Sequence, residues 1–90
     1  MDRQALRDLL VRGFAECEDY SFEQVEAAIA AVGGDNLFEL DSKKAEWVVA
    51  HVEHALGVTT PLPKPADLQR DQFATLGALV EAIAHALDIH

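Results

Sequence analysis

Apolar residues recur at steps of three and four along most of the chain, which is the period of an amphipathic helix. The clearest patterns predict three helices: one over Arg3–Glu18, one that begins at Ser42, and one that begins after Thr75. Their inner faces are Leu6, Leu9, Leu10, Phe14 and Cys17; then Ala45, Val48, Val49, Val52 and Leu56; then Leu76, Leu79, Val80, Ile83 and Leu87. Gly57 should end the second of these helices, and we find no convincing strand pattern.

A shorter helix is predicted between the first two. Ser21 and Gln24 have the spacing of a capping box at its start, and the pair Gly33-Gly34 should end it. Its apolar stripe would consist of Val25, Ala28, Ile29 and Val32. The irregular stretch that follows carries Leu37, Phe38 and Leu40, which we expect to enter the core.

The segment TTPLPKP is predicted to be a stiff connector, because each proline fixes φ and cannot continue a helix. A short turn or helix is expected over residues 66–72, with Leu68 and Phe73 as apolar anchors. The predicted fold class is therefore all-α: a small antiparallel four-helix bundle with an additional short helix in the long first loop. At 90 residues, we expect a single domain over residues 1–90.

Charge narrows the choice of partners. Sixteen acidic and seven basic residues give a formal net charge of -9, which disfavours binding to nucleic acid and to anionic membranes. No apolar run approaches the ~20 residues of a transmembrane helix, and MDRQALRDLL lacks the apolar segment of a signal peptide. Cys17 is the only cysteine and has no internal disulfide partner, so we expect a cytoplasmic protein.

Ser42 is the candidate for chemistry, because it stands at the start of a helix. Helix N-termini leave backbone N–H groups unpaired and favour anions, so a phosphate ester on this hydroxyl would be stabilised. Lys43 and Lys44 follow it, although cations in a first turn cost about a few tenths of a kcal/mol each. Asp41 could cap the helix or help to hold Mg²⁺ delivered by a modifying enzyme. The alternative is that Ser42 is only an ordinary N-cap.

Several motifs together carry a family resemblance. LDS opens a helix, the pattern VVxxVExxLG continues it, a proline-bearing loop follows, and FATLGALVEAIAHAL closes the chain. Over residues 6–87 this order resembles an acyl carrier protein. The resemblance implies a non-catalytic four-helix bundle whose serine receives 4′-phosphopantetheine from coenzyme A and then carries acyl groups as thioesters. By position, Ser42 is the attachment site, Asp41 its neighbouring acid, and Thr75 the residue that opens the final helix.

The resemblance also implies that partner enzymes recognise the helix that begins at Ser42. The expected partner-binding residues are Lys43, Lys44, Glu46, Trp47, Ala50 and Glu53. For Trp47 the equal alternative is a half-buried side chain packed against the irregular segment 35–40. The expected partners are a phosphopantetheinyl transferase and an acyltransferase, a ketosynthase, or adenylating or ligase enzymes, acting on a monomer.

Four positions depart from the family pattern. Glu39 stands where the family usually has glycine, Lys43 and Glu46 replace apolar residues, and Trp47 replaces a frequent acid. These departures favour a carrier dedicated to a specialised pathway, such as polyketide biosynthesis, over one for general fatty-acid synthesis.

Other interpretations stay open. The chain could be an acidic helical protein-interaction module without a prosthetic group, or a peptidyl carrier that differs only in cargo. His51 and His54 lie three residues apart, which does not match the usual spacing of helical zinc ligands, so no metal is expected. Cys17 is expected to be an inert core thiol.

Overall fold

A computed structural model describes residues 1–59 and 61–89, and within these ranges the protein is all-α, as predicted. The four α-helices are α1 (Arg3–Glu18), α2 (Phe22–Val32), α3 (Ser42–Leu56) and α4 (Leu76–Ala86). Three 3-10 turns cover Asp35–Leu37, Pro65–Asp67 and Arg70–Gln72. The last two take the place of the short turn or helix predicted over residues 66–72, because Leu68 between them has extended backbone angles. Across the described ranges, no helix has both the length and the apolar character needed to cross a membrane.

Local capping signals explain where the helices begin and end. The predicted capping box of α2 is present, with Gln24 N–H donating to Ser21 Oγ at 3.1 Å and Ser21 N–H donating to Gln24 Oε1 at 2.8 Å. Thr75 Oγ1 accepts a hydrogen bond from Ala78 N–H at 3.2 Å and caps α4, as predicted. Gly57 ends α3 with a φ of 64°, a conformation that glycine adopts without strain.

The core is built around α1, which packs against α2, α3 and α4. The predicted inner faces supply most of the buried side chains. They include Leu6, Leu10, Ala45, Val48, Val49, Val52, Leu79 and Ile83, each with no exposed surface. Leu62, in the proline-rich connector, is also buried, although it belongs to no helical period.

Several expected core residues lie at the surface. Leu37 is 61% exposed and Val32 is 48% exposed, so both predictions of burial are wrong. The side chain of Leu37 lies beside Gly33 at the end of α2, where it covers the helix terminus and does not enter the core. Ala28 is exposed as well, and Cys17 is half-buried at the edge of α1, so the prediction of a core thiol is also wrong.

Two backbone hydrogen bonds fix the position at which α3 begins. Leu40 N–H donates to the Ala74 carbonyl at 2.8 Å, and Leu76 N–H donates to the Phe38 carbonyl at 2.9 Å. The segment that precedes α3 is therefore held against the start of α4. The ring of Phe38 also meets Phe14 of α1 edge to face, with centroids 5.0 Å apart. The N-terminus of α3 is thus fixed relative to both α1 and α4.

Candidate functional site

The N-terminus of α3 leaves the Ser42 hydroxyl free. Asp41 is the N-cap: its backbone is extended, and its Oδ1 accepts a hydrogen bond from Lys44 N–H at 2.8 Å. Ser42 is the first helical residue, it is exposed, and its hydroxyl has no hydrogen bond within the described part of the chain. The expectation that Asp41 can cap the helix is confirmed, and the alternative in which Ser42 is the N-cap is wrong.

The two lysines after Ser42 have different surroundings. Lys44 Nζ lies 3.0 Å from Glu18 Oε1 of α1 and 5.8 Å from the ring centroid of Phe14. The hydrogen bond to Glu18 raises the pKa of Lys44, which keeps the ammonium charged and attached to α1. Lys43 is exposed and has no ion pair with any described residue. Of the two, Lys43 is therefore the cation that is free to meet an anionic group at Ser42.

A groove of about 520 Å³ runs beside the start of α3, between that helix and α1. It is lined by Cys17, Glu18, Asp41, Lys43, Lys44, Glu46, Trp47 and Ala50, and we call it the α1–α3 groove. All of the predicted partner-binding residues except Glu53 line this groove. Trp47 is 51% exposed, so a large aromatic surface faces solvent here. Burial raises the pKa of the Cys17 thiol, so a smaller fraction of it is ionised to thiolate at neutral pH.

Glu53 lies apart from the groove and has a structural role. Its Oε2 accepts a hydrogen bond from Leu62 N–H at 2.7 Å, and Lys64 Nζ lies 2.8 Å from both carboxylate oxygens. The prediction that Glu53 faces outward is wrong, because the connector folds back and covers it. These contacts hold the connector against α3 and lower the pKa of the Glu53 carboxyl, chiefly through the hydrogen bond from Lys64.

We expect Glu53→Gln to be less stable than the parent protein by about 1 kcal/mol at neutral pH. Glu53 has a lowered pKa when folded, so it stabilises fully above the ordinary glutamate pKa of about 4.3. That contribution is lost as the pH falls through the lower, folded-state pKa. The difference between the two proteins in denaturant unfolding should therefore stay constant from neutral pH down to about pH 5 and shrink only as the pH falls below the ordinary glutamate pKa of about 4.3.

Glu46→Gln is the matched control, because Glu46 lies on the same helix and has no hydrogen bond or ion pair with a described residue. Its stability should differ little from that of the parent at neutral pH. An equal loss in both variants would contradict the structural role of Glu53.

His51 of α3 packs against Gly13 of α1. A Cβ atom on Gly13 would lie 3.0 Å from His51 Cδ2, so glycine allows the imidazole to rest on the backbone of α1. His51 Nδ1 lies 3.3 Å from Glu16 Oε2. In the part of the chain that the structure describes, no group of three or more His, Cys, Asp or Glu side chains is placed to hold a metal ion.

The α1 side of the groove is not apparent from the sequence. Cys17 and Glu18 form that wall. Glu18 forms an ion pair with Lys44, which lies 26 positions further along the chain. A glutamate at the end of one helix and a lysine at the start of another are both ordinary surface residues, so no local pattern marks the pair.

Comparisons with protein families, with curated proteins and with solved structures found no match for this chain.

Proposed function

We propose that this protein is an acyl carrier protein, with 4′-phosphopantetheine attached to Ser42. The observation that supports the proposal most directly is the exposed Ser42 hydroxyl, which makes no hydrogen bond because Asp41 caps the helix. A phosphate ester at this position would meet the unpaired N–H groups of the first turn of α3 and the free ammonium group of Lys43.

In this proposal the fold is a small antiparallel four-helix bundle with an additional short helix, α2, in the long loop between α1 and α3. The protein is a cytoplasmic monomer without catalytic activity of its own. It holds acyl intermediates as thioesters on the arm and delivers them at high effective concentration. The chemistry belongs to the arm, and the protein contributes attachment and recognition.

Partner enzymes would recognise the surface around the α1–α3 groove. A phosphopantetheinyl transferase would act first. An acyltransferase, a ketosynthase, or adenylating or ligase enzymes of a polyketide or related specialised pathway would follow. Trp47 offers an aromatic anchor of the kind that dominates binding energy at interfaces, and Lys43 and Glu46 offer charges that steer association.

The test is the intact mass of the protein after incubation with coenzyme A and a promiscuous phosphopantetheinyl transferase. We expect the parent protein to gain one phosphopantetheine group and Ser42→Ala to gain none. Ser42→Ala should stay helical by circular dichroism, because Asp41 supplies the cap and alanine has the highest helix propensity. Ser21 is the only other serine in the chain, so Ser21→Ala is the matched control and should still be modified.

Two results would overturn the proposal: no gain of mass with several transferases, or a gain that persists in Ser42→Ala. The first result would favour an acidic interaction module without a prosthetic group. If the arm is attached, loading by amino-acid-adenylating enzymes would identify a peptidyl carrier.

A further inference from the structure

We propose that the surface beside α2 is a docking site for an amphipathic helix of a partner protein, with basic side chains flanking the apolar face of that helix. The Lys44–Glu18 ion pair lines both this surface and the α1–α3 groove, and therefore separates the two. Lys44 stands two residues after Ser42, so a helix docked here would lie beside the start of α3. The inference goes beyond the proposed function, because it needs no prosthetic group on Ser42.

A second groove, of about 420 Å³, lies beside α2, and we call it the α2 groove. Tyr20, Gln24 and Ala28 are exposed and form one edge of this groove. Phe14 and Val25 are almost fully buried and form its floor. Its volume lies within the range of binding sites, which is about 300–1,000 Å³.

The apolar surface continues along α2 beyond the groove. Gln24, Ala28 and Val32 are spaced by four residues, so they share one face of the helix. Val32 is 48% exposed, and Leu37, beside the end of the helix, is 61% exposed. α2 has 11 residues and is therefore about 16 Å long, which matches about three turns of a second helix. Exposed apolar strips mark interaction sites, and amphipathic helices fill such grooves with residues spaced by three and four.

The charges near the strip favour an apolar contact along most of its length. No Asp, Glu, Lys or Arg stands between Glu26 and Asp35, although these residue types make up 26% of the chain. Within the groove, Lys44 and Glu18 offset each other's charge in their 3.0 Å ion pair. The apolar face of a partner helix therefore meets no unpaired charge along this stretch.

The free charges at the N-terminal end of α2 are acidic. Asp19 and Glu23 are exposed, and neither forms an ion pair with a described residue. They are the chain neighbours of Tyr20 and Gln24, which edge the groove. Opposite charges across an interface speed association and fix orientation, and the net charge of -9 acts in the same direction. Basic side chains beside the apolar face of the partner would meet these two carboxylates.

The test is an NMR titration of the isotope-labelled, unmodified protein with two synthetic helical peptides, each of about 14 residues. Both peptides carry leucine at positions i, i+3, i+4 and i+7, with lysine at the remaining positions of one and glutamate at those of the other. We expect the lysine peptide to bind at least about ten-fold more tightly than the glutamate peptide. It should shift the backbone signals of residues 20–32 more than those of residues 46–56.

One substitution fills the groove without changing the net charge. Ala28→Gln places a longer, polar side chain at the edge of the groove, so it should weaken binding of the lysine peptide by about ten-fold. Ala30→Gln is the matched control, because it makes the same change at an exposed position of α2 that does not line the groove. It should bind the peptide like the parent protein.

A second pair of variants tests the carboxylates. The double variant Asp19→Asn/Glu23→Gln should weaken binding of the lysine peptide and reduce its dependence on salt. Asparagine tolerates the left-handed backbone of residue 19, which has a φ of 60°. The control Glu46→Gln/Asp71→Asn removes two exposed carboxylates that do not line the α2 groove, and it should weaken binding less.

No binding of the lysine peptide, or equal affinity for the two peptides, would overturn the inference. Equal losses of affinity in Ala28→Gln and Ala30→Gln, or in the two charge variants, would also overturn it, because binding would then reflect net charge alone. Failure of Ser42 to accept phosphopantetheine is a separate result, which counts against the proposed function and not against this docking site.

Discussion

In denaturant unfolding of Leu79→Ala, the free energy of unfolding falls by about 2–5 kcal/mol relative to the parent protein. Leu79 lies on α4 and has no exposed surface, so the substitution removes buried methyl groups and leaves a cavity that the neighbours fill only in part. Domains of this kind are stable by about 5–15 kcal/mol in total, so the loss is a large share of the whole. In a thermal melt, each kcal/mol corresponds to about 4–8 °C.

Leu37→Ala is the control for this prediction, because it makes the same chemical change at a side chain that is 61% exposed. Its free energy of unfolding should change by less than about 0.5 kcal/mol. Equal losses in the two variants would contradict the placement of one leucine in the core and the other at the surface.

The helices could be predicted from the sequence because their signals are local. The bounds Arg3–Glu18 follow from a period that runs without interruption, and the starts of α2 and α4 follow from Ser21 and Thr75 as caps. Burial could be predicted less well. The periodicity of apolar residues identifies the apolar face of a helix. It does not show whether another element covers that face along its full length. Val32 and Leu37 both lie at the end of α2 and are largely exposed, so the apolar face of that helix is not covered along its full length.

The residues of the candidate site also differ in how well the sequence predicts their positions. Lys43, Trp47 and Ala50 share one face of α3 because they are spaced by three and four residues, and that spacing is visible in the sequence. Glu53 has a suitable spacing as well, yet its carboxylate is bound by the connector, because Leu62 N–H and Lys64 Nζ donate hydrogen bonds to it. Contacts of this kind join residues far apart in the chain, so helical periodicity does not reveal them.

Arg7 is another long-range contact that the sequence does not reveal. Its guanidinium forms a bidentate pair with Asp35, with distances of 3.0 Å from Nε and 2.9 Å from Nη2. Asp8 and Glu26 lie against the same guanidinium. The Arg7 side chain is 14% exposed, and its pKa is raised, chiefly by the hydrogen bond to Asp35. One arginine thus joins α1, α2 and the turn that leads towards Ser42.

We expect Arg7→Met to lower the free energy of unfolding by about 2–3 kcal/mol in denaturant unfolding. The substitution keeps most of the apolar stem but leaves the carboxylates of Asp8, Glu26 and Asp35 facing one another in a protein with a net charge of -9. The loss is smaller than that for a fully buried pair, because these carboxylates are about one third exposed. Raising the ionic strength should reduce it, because salt screens the repulsion between the carboxylates.

Arg12→Met is the matched control on the same helix. Arg12 is exposed and lies 4.8 Å above the ring of Phe22, a contact worth less than about 1 kcal/mol at the surface. The loss of stability in Arg12→Met should be smaller than the loss in Arg7→Met. Raising the ionic strength should not reduce it to the same extent. If Arg7→Met unfolds like Arg12→Met at low and high ionic strength, the guanidinium does not hold α1 to Asp35. In that case the start of α3 is held by the backbone hydrogen bonds that Leu40 and Leu76 make and by the Phe38–Phe14 and Lys44–Glu18 contacts with α1.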